Sequence, residues 1–323
     1  MEFNLIAQKI VWQVNSANNI ILVTHQQPDA DALGSLSAMS QWLNDLGKKH
    51  LKFCLDQPPN NLEWLLDFQP LTTDFSEVLK QDFDLAIVLD SGDLKYAGVE
   101  SIFSKLKQKP FLINIDHHQT NQNFGDLNLV DKSASSTTEV IYHFFKAIDF
   151  SLTPKIGNAL LAGLVGDTYN FTNPNTTKKS LAAVSDLMND GALLPRVVTS
   201  VLKNKTLETL QVWGKALARL NFNSDFQMVS TIVTQDDLPA GLPLAEATDG
   251  VANLLNNIGG IKAALVLQQE SNGVIKGSLR TNDDLIDVSL LAKILGGGGH
   301  RKAAGFKIKG KLVQEKNGQW QIV

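Results

Sequence analysis

Short apolar runs alternate with helix-like patterns through the first half of the chain. Between the first two runs, apolar residues recur every three or four positions from Leu33 to Leu46, the spacing of a helix face, and Gly47 supplies a stop. Continuous apolar strands separated by helices indicate a parallel sheet covered on both faces. The predicted strands are 19–24, 51–55, 84–89 and 111–115, with further helical stretches near 61–68 and 98–107.

The pattern becomes helical after residue 133 and changes again near residue 222. Pro154 is well placed at a helix start, and Ser271-Asn272-Gly273 is a plausible hairpin turn. The predicted helices are 136–148, 153–168, 177–190, 196–220, 249–260 and 288–295; the predicted strands are 226–234, 263–270 and 274–281. This pattern indicates a second, smaller α+β domain.

The fold class that follows is α/β, with an N-terminal doubly wound, mainly parallel sheet and a smaller C-terminal α+β domain. We predict a catalytic, metal-binding domain at 1–192, a helical linker at 193–221 and a substrate-binding domain at 222–323, with the active site in a cleft between the domains. A length of 323 residues with 43% apolar and 19% charged residues suits two domains of ordinary size.

Charge and composition limit the binding partners and the cell compartment that we expect for this protein. A net charge of −4 argues against a generic nucleic-acid or membrane-surface binder. The N-terminus lacks the pattern of a secretory signal, and no apolar run approaches the roughly 18 residues of a membrane span. The single cysteine, Cys54, excludes an intrachain disulfide and is predicted to be a buried structural thiol. We therefore expect a cytoplasmic protein.

Histidine is scarce, yet four of the six histidines lie beside aspartate or glycine clusters. His25 follows the strand 19–24 and precedes Asp29 and Asp31. If this segment is extended, residues i and i+2 point the same way, so both carboxylates can reach cations about 3.5–4 Å apart, the spacing of two-metal sites. The alternative is an Asx-rich loop that only caps the following helix.

Two further strands end on the same kinds of residue. Asp90 follows the strand 84–89, and Asp116-His117-His118 follows the strand 111–115. Ligands gather outside the carboxyl ends of parallel strands, so three strands deliver histidine or aspartate to one edge. Asp167 adds a carboxylate near the end of an apolar helix, where an unpaired charge is costly unless it meets a cation.

Imidazole and carboxylate groups without thiolates suit Mn²⁺, Zn²⁺, Fe²⁺ or Co²⁺. Clustered carboxylates repel one another and a phosphate, whereas two dications reverse the sign of the site. Two metals also activate hydroxide near neutral pH for attack on phosphorus. The cluster therefore predicts a two-metal phosphoesterase.

A glycine run, Gly296 to Gly299, precedes His300. It is either a flexible linker or a turn whose backbone N–H groups face an anion. His300 and Arg301 would add donors, and Arg280, at a predicted strand end, could bind a terminal phosphate through two hydrogen bonds.

These motifs resemble those of one family. His25-x-x-Pro28-Asp29-x-Asp31-Ala32-x-Gly34-Ser35, Asp90, Asp116-His117-His118 and Asp167-Thr168 look like the four motifs of the DHH phosphoesterases. Gly297-Gly298-Gly299-His300-x-x-Ala303-x-Gly305 is similar to the motif of the associated DHHA1 domain. The length and the pairing of domains resemble the oligoribonuclease/pAp phosphatase branch.

The resemblance implies roles for individual residues. His25, Asp29 and Asp90 would hold one metal; Asp31, Asp90, His117 and Asp167 would hold the other. Asp116 would orient His117, and His118 would face the scissile phosphate. Arg280, Gly298, Gly299 and His300 would bind the far phosphate or nucleotide. The two metals would be Mn²⁺.

The substrate choice stays open. The resemblance implies hydrolysis of short oligoribonucleotides to mononucleotides and of pAp to AMP, without long duplexes or membranes as partners and with a homodimer as one option. The alternative is a cyclic di-AMP or pApA phosphodiesterase in signalling; a non-catalytic sensor would be expected to lack ligands. Relatives often have glycine soon after the fourth motif, where this chain has Tyr169-Asn170-Phe171, so Tyr169 or Phe171 is a base-stacking platform or simple packing.

Overall fold

Buried apolar runs form the centre of a parallel sheet. The protein, seen in a computed structural model that describes residues 2–66, 71–202, 205–270, 272–315 and 320–323, divides into two units, Met1–Asn204 and Lys205–Val323. The strands of the first unit are β1 Ile20–Thr24, β2 His50–Phe53, β3 Leu71–Thr72, β4 Leu85–Leu89, β5 Phe111–Asp116 and β6 Leu127–Val130. Their spatial order is β3-β2-β1-β4-β5-β6, and every neighbouring pair is parallel.

Helices cover both faces of this sheet. They are α1 Glu2–Ser16, α2 Ala30–Asp45, α3 Phe75–Leu79, α4 Glu100–Phe103, α5 Thr137–Ala147, α6 Pro154–Asp167, α7 Lys178–Asn189 and α8 Leu194–Leu202. Alternate residues of β1 point to opposite faces. Ile20 and Leu22 join the core formed with α1, α2, α5 and α6, whereas Ile21 and Val23 join the core formed with α3 and α4.

Helices α2 and α6 approach closely because glycine lies between them. A Cβ atom on Gly34 of α2 would lie 2.4 Å from the carbonyl oxygen of Ala159, well inside van der Waals contact. Gly166 of α6 likewise faces Ala30, since a Cβ there would lie 2.9 Å from the Ala30 Cβ. This close packing brings the start of α2 next to the end of α6.

The second unit is a mixed sheet with helices on both faces. Its elements are α9 Leu207–Ala218, β7 Asn221–Asn223, β8 Met228–Val233, α10 Leu244–Thr248, α11 Val251–Leu255, β9 Ala263–Gln269, β10 Val274–Arg280, α12 Val288–Ile294, β11 Gly298–Gly299, β12 Ala303–Lys309, β13 Leu312–Gln314 and β14 Trp320–Ile322. The large sheet has the order β11-β12-β10-β9-β8-β7; β8 and β9 are parallel and its other pairs antiparallel. β13 pairs with β14.

The two faces of the second sheet are covered over different strands. On one face α9 and α11 pack over β8 and β9, where Val229 and Val266 are buried. On the opposite face α12 packs over β10 and β12, against Leu279 and Phe306. On the face that α9 and α11 cover over β8 and β9, strands β10 and β12 therefore present the residues that alternate with Leu279 and Phe306.

The predicted fold class is confirmed, and the predicted strands of the first half form β1, β2, β4 and β5. Some elements differ from the prediction. The stretch near 61–68 is a 3-10 helix at Asn60–Leu65, with 67–68 outside the described residues, and 98–107 contains only the short α4. The stretch 196–220 holds two helices, α8 in the first unit and α9 in the second, and 249–260 holds α11, with α10 ahead of it.

Three smaller expectations have clear outcomes. Cys54 is fully buried with a free thiol, as predicted. β9 and β10 pair as the hairpin expected around Asn272 and Gly273, while Ser271 lies outside the described residues. In the described part of the chain, no helix has the length and apolar character needed to cross a bilayer.

Candidate metal centre

The predicted residues follow three adjacent strands. His25 comes directly after β1, Asp90 directly after β4, and Asp116 is the last residue of β5, with His117 and His118 next. β1 and β4 are neighbours, and the chain leaves them toward opposite edges of the sheet. Such a topological switch point opens a crevice at the carboxyl ends of the strands, where ligands of open α/β sheets bind.

Asp29 and Asp31 occupy a helix start. Asp29 is the N-cap of α2, and its Oδ1 accepts hydrogen bonds from the backbone N–H groups of Asp31 (2.9 Å) and Ala32 (3.1 Å). The prediction that both residues lie in an extended segment is wrong, because the cap begins the helix and places Asp31 in its first turn. The capping alternative thus describes Asp29 correctly, and the helix orients Asp31.

The side chains nevertheless converge. His25 Nε2 lies 3.4 Å from Asp90 Oδ2 and 3.9 Å from Asp29 Oδ1. His117 Nε2 lies 3.2 Å from Asp167 Oδ2, 3.8 Å from Asp90 Oδ1 and 3.9 Å from Asp31 Oδ2. The other five predicted ligands therefore lie around Asp90, which is 2% exposed.

Three groups of these side chains could hold a cation. In each group the candidate ligand atoms lie within 4.8 Å of one another: His25, Asp29 and Asp90; Asp31, His117 and Asp167; Asp90, His117 and His118. The first group is the first predicted ligand set, and the second group is the other predicted set without Asp90. Imidazole nitrogen and carboxylate oxygen are the donors that Mn²⁺, Zn²⁺ and Fe²⁺ accept. The residues present fit divalent metals, and their assignment as ligands stays a prediction.

The start of α5 supports two of the carboxylates. The backbone N–H groups of Thr137 and Thr138 donate to Asp31 Oδ2 (2.6 Å) and Oδ1 (2.9 Å), and the Thr137 hydroxyl donates to Asp90 Oδ1 (2.8 Å). A helix N-terminus favours negative charge. These threonines are not among the residues predicted from the sequence, although the N-cap Ser136 before Thr-Thr is a visible helix-start signal.

Gly163 of α6 lies against the same carboxylate. A Cβ atom there would lie 2.2 Å from Asp31 Oδ1 and 2.3 Å from Thr138 Oγ1. A glycine in the middle of an apolar helix costs helix stability, and here it leaves the space that the Asp31 carboxylate occupies.

Asp116 pairs with His118, since its Oδ1 lies 2.7 Å from His118 Nδ1. His117 Nδ1 instead faces the carbonyl oxygen of Ala134 at 3.4 Å. The predicted role of Asp116 in orienting His117 is therefore wrong. The reason is alternation at a strand end: residues i and i+2 point to the same side, and residue i+1 points to the other.

Burial and mutual repulsion shift the pKa values of the carboxylates in this cluster. Burial, followed by the neighbouring carboxylates of Asp90 and Asp167, raises the pKa of Asp31 well above its ordinary value. Burial opposes ionisation of Asp90 as well, but its hydrogen bond with His25 and the nearby imidazoles lower its pKa overall. Cations would relieve this repulsion among carboxylates.

Tyr96 is a further neighbour of His25 and is not among the residues predicted from the sequence. Its ring stacks on His25 with centroids 4.9 Å apart and planes at 19°, and its carbonyl oxygen accepts a hydrogen bond from Gln26 N at 3.1 Å. Burial, followed by the charges of Asp29 and Asp90, raises the pKa of the Tyr96 phenol. No motif marks this residue, because only the fold brings its loop onto His25.

The segment after Asp167 has an unusual backbone. Tyr169, Asn170 and Phe171 have φ values of 48°, 57° and 64°, the left-handed region that side chains rarely occupy. The Thr168 hydroxyl accepts a hydrogen bond from Phe171 N at 2.9 Å and stabilises this turn. Phe171 packs against the core of the first unit, which favours the packing alternative for that residue; Tyr169 is half-buried.

The predicted substrate residues lie on the second unit. Arg280 ends β10, where its Nε donates to Asn253 Oδ1 (2.9 Å) and its Nη1 to the Leu279 carbonyl (3.0 Å). His300 closes the tight turn between β11 and β12 through backbone hydrogen bonds with Ala303. Arg301 is exposed and donates to the Asp284 carbonyl (2.6 Å).

The glycine run is more structured than a linker. The amides of Gly296 and Gly297 donate to carbonyls at the end of α12, so these two do not face an anion as predicted. Gly298 and Gly299 form β11, and Gly299 has a φ of 133°. A Cβ atom on Gly298 would meet nothing within 4 Å. Open space thus lies above Gly298.

A doubly wound sheet with histidine and aspartate at its switch point can hold divalent metals and suits the hydrolysis of phosphate esters. Two domain families match segments of the chain. Residues 19–164 match the DHH family, N-terminal domain, and residues 244–318 match the DHHA1 domain. These two segments together cover most of the chain in the order expected, so the chain carries a DHH domain followed by a DHHA1 domain.

Several known proteins are similar over nearly the whole chain. The bifunctional oligoribonuclease and PAP phosphatase NrnA of Thermus thermophilus is 29% identical over 90% of this chain and 84% of its own length. The protein of the same name from Bacillus subtilis is 27% identical over 93% and 92%. The cyclic-di-AMP phosphodiesterase PdeA of Listeria monocytogenes is 23% identical over 98% of this chain but only 48% of its own length.

Solved structures share the fold. An exopolyphosphatase-related protein from Bacteroides fragilis has a TM-score of 0.85 at 22% identity, covering 95% of this chain and 92% of that protein. RecJ from Thermus thermophilus in complex with Mn²⁺ has a TM-score of 0.55 at 14% identity, covering 95% of this chain and 52% of RecJ.

Proposed function

We propose that this protein hydrolyses short oligoribonucleotides to mononucleotides and removes the 3′-phosphate of pAp to give AMP. The observation that carries the proposal is the convergence of His25, Asp29, Asp31, Asp90, His117 and Asp167 at the switch point of the first sheet. Similarity to two bifunctional oligoribonuclease and PAP phosphatase proteins over at least 90% of the chain supports the choice of substrate.

Two Mn²⁺ ions are part of the proposal. His25, Asp29 and Asp90 would hold one ion, and Asp31, Asp90, His117 and Asp167 the other. Divalent metals so bound supply Lewis acidity and activate water near neutral pH for attack on phosphorus. The count of two is supported by the separate groups around Asp90, and the choice of Mn²⁺ by a structural neighbour solved with that ion.

The chain's own residues orient and neutralise the reacting groups. The Thr137 hydroxyl and the α5 N-terminus fix the carboxylates of Asp90 and Asp31, so these groups need little rearrangement during the reaction. Asp116 holds His118 by its Nδ1 and raises the pKa of that imidazole against the opposing effect of burial. A protonated His118 can donate a hydrogen bond to the phosphate or the leaving oxygen.

Turnover of pApA, pAp and cyclic di-AMP with Mn²⁺ tests the proposal. We expect hydrolysis of pApA and pAp and loss of activity by several orders of magnitude in Asp90→Asn. This change removes a charge and keeps a residue type that tolerates the left-handed φ of 56°. A fully active Asp90→Asn would refute the assignment of this site, and a wild-type protein inactive on all three compounds would refute the proposed function.

A second candidate keeps the chemistry and changes the substrate to cyclic di-AMP or its linear product. The similarity to PdeA spans 98% of this chain and favours it. Faster turnover of cyclic di-AMP than of pApA and pAp would select this alternative. A cytoplasmic location, an absence of long duplex partners and a homodimer belong to the proposal for both candidates.

A further inference from the structure

Tyr96 contacts the His25 segment through both its backbone and its ring. The carbonyl oxygen of Tyr96 accepts a hydrogen bond from Gln26 N at 3.1 Å, and the Gln26 carbonyl in turn faces His25 Nδ1 at 2.8 Å. The Tyr96 ring stacks on the His25 imidazole, with the two ring centroids 4.9 Å apart. One residue therefore holds both the imidazole and the peptide that the imidazole contacts.

These contacts decide which nitrogen of His25 is available to a cation. A carbonyl oxygen only accepts hydrogen bonds, so the contact with Gln26 places the proton of a neutral imidazole on Nδ1. The lone pair then belongs to Nε2, which lies 3.4 Å from Asp90 Oδ2 and 3.9 Å from Asp29 Oδ1. The plane of the ring determines whether that lone pair points between the two carboxylates.

The backbone of His25 is held separately from its ring. The buried Cys54 thiol donates a hydrogen bond to the His25 carbonyl oxygen at 3.2 Å. Among the residues that the structure describes, the ring itself stacks only on Tyr96. The backbone position of His25 thus does not depend on the Tyr96 side chain, whereas the tilt of the imidazole does.

The loop that carries Tyr96 is anchored on both sides of this residue. It begins directly after Asp90, and Asp93 Oδ1 accepts a hydrogen bond from Tyr96 N at 2.6 Å. Ala97 and Val99, which follow, are fully buried in the core formed with α3 and α4. A supporting side chain on a fixed backbone holds a ligand more precisely than one on a mobile loop.

The ring, and not the hydroxyl, makes the contact with His25. In the described part of the chain the Tyr96 hydroxyl has no hydrogen-bond partner, and Tyr96 is 44% exposed. Phenylalanine at this position keeps the ring and loses only the hydroxyl. Alanine removes the ring and keeps the backbone hydrogen bond with Gln26, so the two variants separate the possible roles.

Two of the candidate cation groups differ in their contact with this ring. The His25 group is His25, Asp29 and Asp90, and the Asp167 group is Asp31, His117 and Asp167. We infer that the Tyr96 ring is a positioning group for His25 and selectively raises the affinity of the His25 group for a divalent cation. The inference rests on the proposed function, since it takes both groups as cation sites. Outer partners of a metal-bound histidine typically change metal affinity by tenfold or more.

The test measures Mn²⁺ binding to the full-length protein by calorimetric titration in two backgrounds. Asp167→Asn weakens the Asp167 group, so that the tighter binding step belongs to the His25 group. Asp29→Asn does the reverse, and asparagine still caps α2. We expect Tyr96→Ala to lower the Mn²⁺ affinity by about tenfold in the first background and to leave it unchanged in the second.

Three further variants act as controls. Tyr96→Phe should keep the parental affinity in both backgrounds, because it retains the stacked ring. Tyr96→Leu fills similar space without an aromatic face and should show the loss seen with alanine. Phe75→Ala removes another exposed aromatic side chain of the first unit, on α3, and should have no effect. Equal losses in both backgrounds, no loss in the first, or full rescue by leucine would overturn the inference.

Nuclear magnetic resonance of the metal-free protein tests the positioning itself. The ring current of a stacked aromatic side chain shifts the ring-proton signals of His25, which a His25→Asn variant identifies among the six histidines. These signals should move in Tyr96→Ala and keep their place in Tyr96→Phe. Signals that stay unchanged in the alanine variant would overturn the inference.

Metal binding is measured without turnover, so the two conclusions can fail separately. Mn²⁺ binding that depends on the Tyr96 ring as expected, in a protein that cleaves neither pApA nor pAp, contradicts the proposed function alone. Cleavage of both compounds by a protein whose Mn²⁺ affinity is indifferent to Tyr96→Ala contradicts the inference alone.

Discussion

Gly163 shows how one missing side chain shapes the site. Its Cα faces the Asp31 carboxylate and the Thr138 side chain so closely that a methyl group would have to displace one of them. Both neighbours are fixed, because Thr138 lies in the first turn of α5 and its backbone N–H group donates a hydrogen bond to Asp31. The conflict cannot be relieved by rotating a flexible side chain.

We therefore expect Gly163→Ala to destabilise the first unit by about 1–3 kcal/mol through overpacking and to weaken Mn²⁺ binding by at least about tenfold. Calorimetric titration with Mn²⁺ and thermal unfolding measure the two effects. Gly214→Ala is the control: a Cβ on Gly214 meets nothing within 4 Å, and alanine stabilises a helix by about 0.5–1 kcal/mol over glycine. Wild-type metal affinity in Gly163→Ala would contradict the role given to this glycine.

Sequence patterns located the candidate ligands but not the residues that support them. His25, Asp90 and His117 follow apolar strands, so their common edge could be predicted from strand direction alone. Thr137, Gly163 and Tyr96 could not be predicted, because helix packing and loop contacts bring them to the site. The mistaken pairing of Asp116 with His117 has the same origin: motif spacing names the residues, while strand alternation decides which one each carboxylate meets.

At the level of elements, one ion pair links the end of α9 to the segment after β8. Arg219 donates to both carboxylate oxygens of Asp237, at 2.5 and 2.8 Å, and Asp237 also accepts a hydrogen bond from Thr234 N. Burial opposes ionisation of Asp237, but Arg219 and Thr234 lower its pKa below the ordinary 3.8. A carboxyl whose folded pKa is depressed stabilises the fold above its unfolded pKa and loses that effect as pH falls through the folded pKa.

Asp237→Asn should therefore lower the free energy of unfolding of the second unit by about 1–2 kcal/mol at pH 7. The difference from wild type should shrink as pH falls below about 4, where the wild-type carboxyl takes up a proton. Urea unfolding at several pH values measures this. The exposed neighbour Asp236 gives the control Asp236→Asn, and a destabilisation that stays constant down to pH 2–3 would argue against the ion pair as its cause.

Elements with strong periodicity were predictable and short ones were not. β1, β4 and β5 are buried on both faces, so their apolar runs are continuous and clear. β3 has two residues and α4 has four, too few for a period to emerge. The stretch 196–220 has one apolar pattern but contains two helices in different units, since α8 and α9 each bury a face against their own unit.

At the scale of the whole molecule, the two units have separate hydrophobic cores. The cores of the first unit contain no described residue from the second, and the reverse also holds. A chain built in this way does not satisfy the conditions for a single two-state transition. Stability changes at Gly163 and Asp237 should accordingly affect different transitions.

The strand order of the first sheet also has a kinetic consequence. The six candidate ligands span residues 25 to 167 and meet only where β1, β4 and β5 lie side by side with α2 and α6 in place. Pairing of β1 with β4 closes a loop of some 60 residues, a slow, non-local step that precedes any complete binding site. On the proposed function, Mn²⁺ would therefore meet a finished sheet and would not direct its formation.

Refolding of the first unit should then proceed at the same rate with and without Mn²⁺. Unfolding should slow by about the factor by which Mn²⁺ binding raises the folding equilibrium constant. Stopped-flow fluorescence of the buried Trp42 reports on this unit once Trp213 and Trp320 of the second unit are replaced by phenylalanine. Faster refolding in proportion to Mn²⁺ concentration would mean that part of the site exists in the folding transition state. The expected result makes the metal a determinant of the lifetime of the native state: a chelated protein folds as quickly and persists for a shorter time.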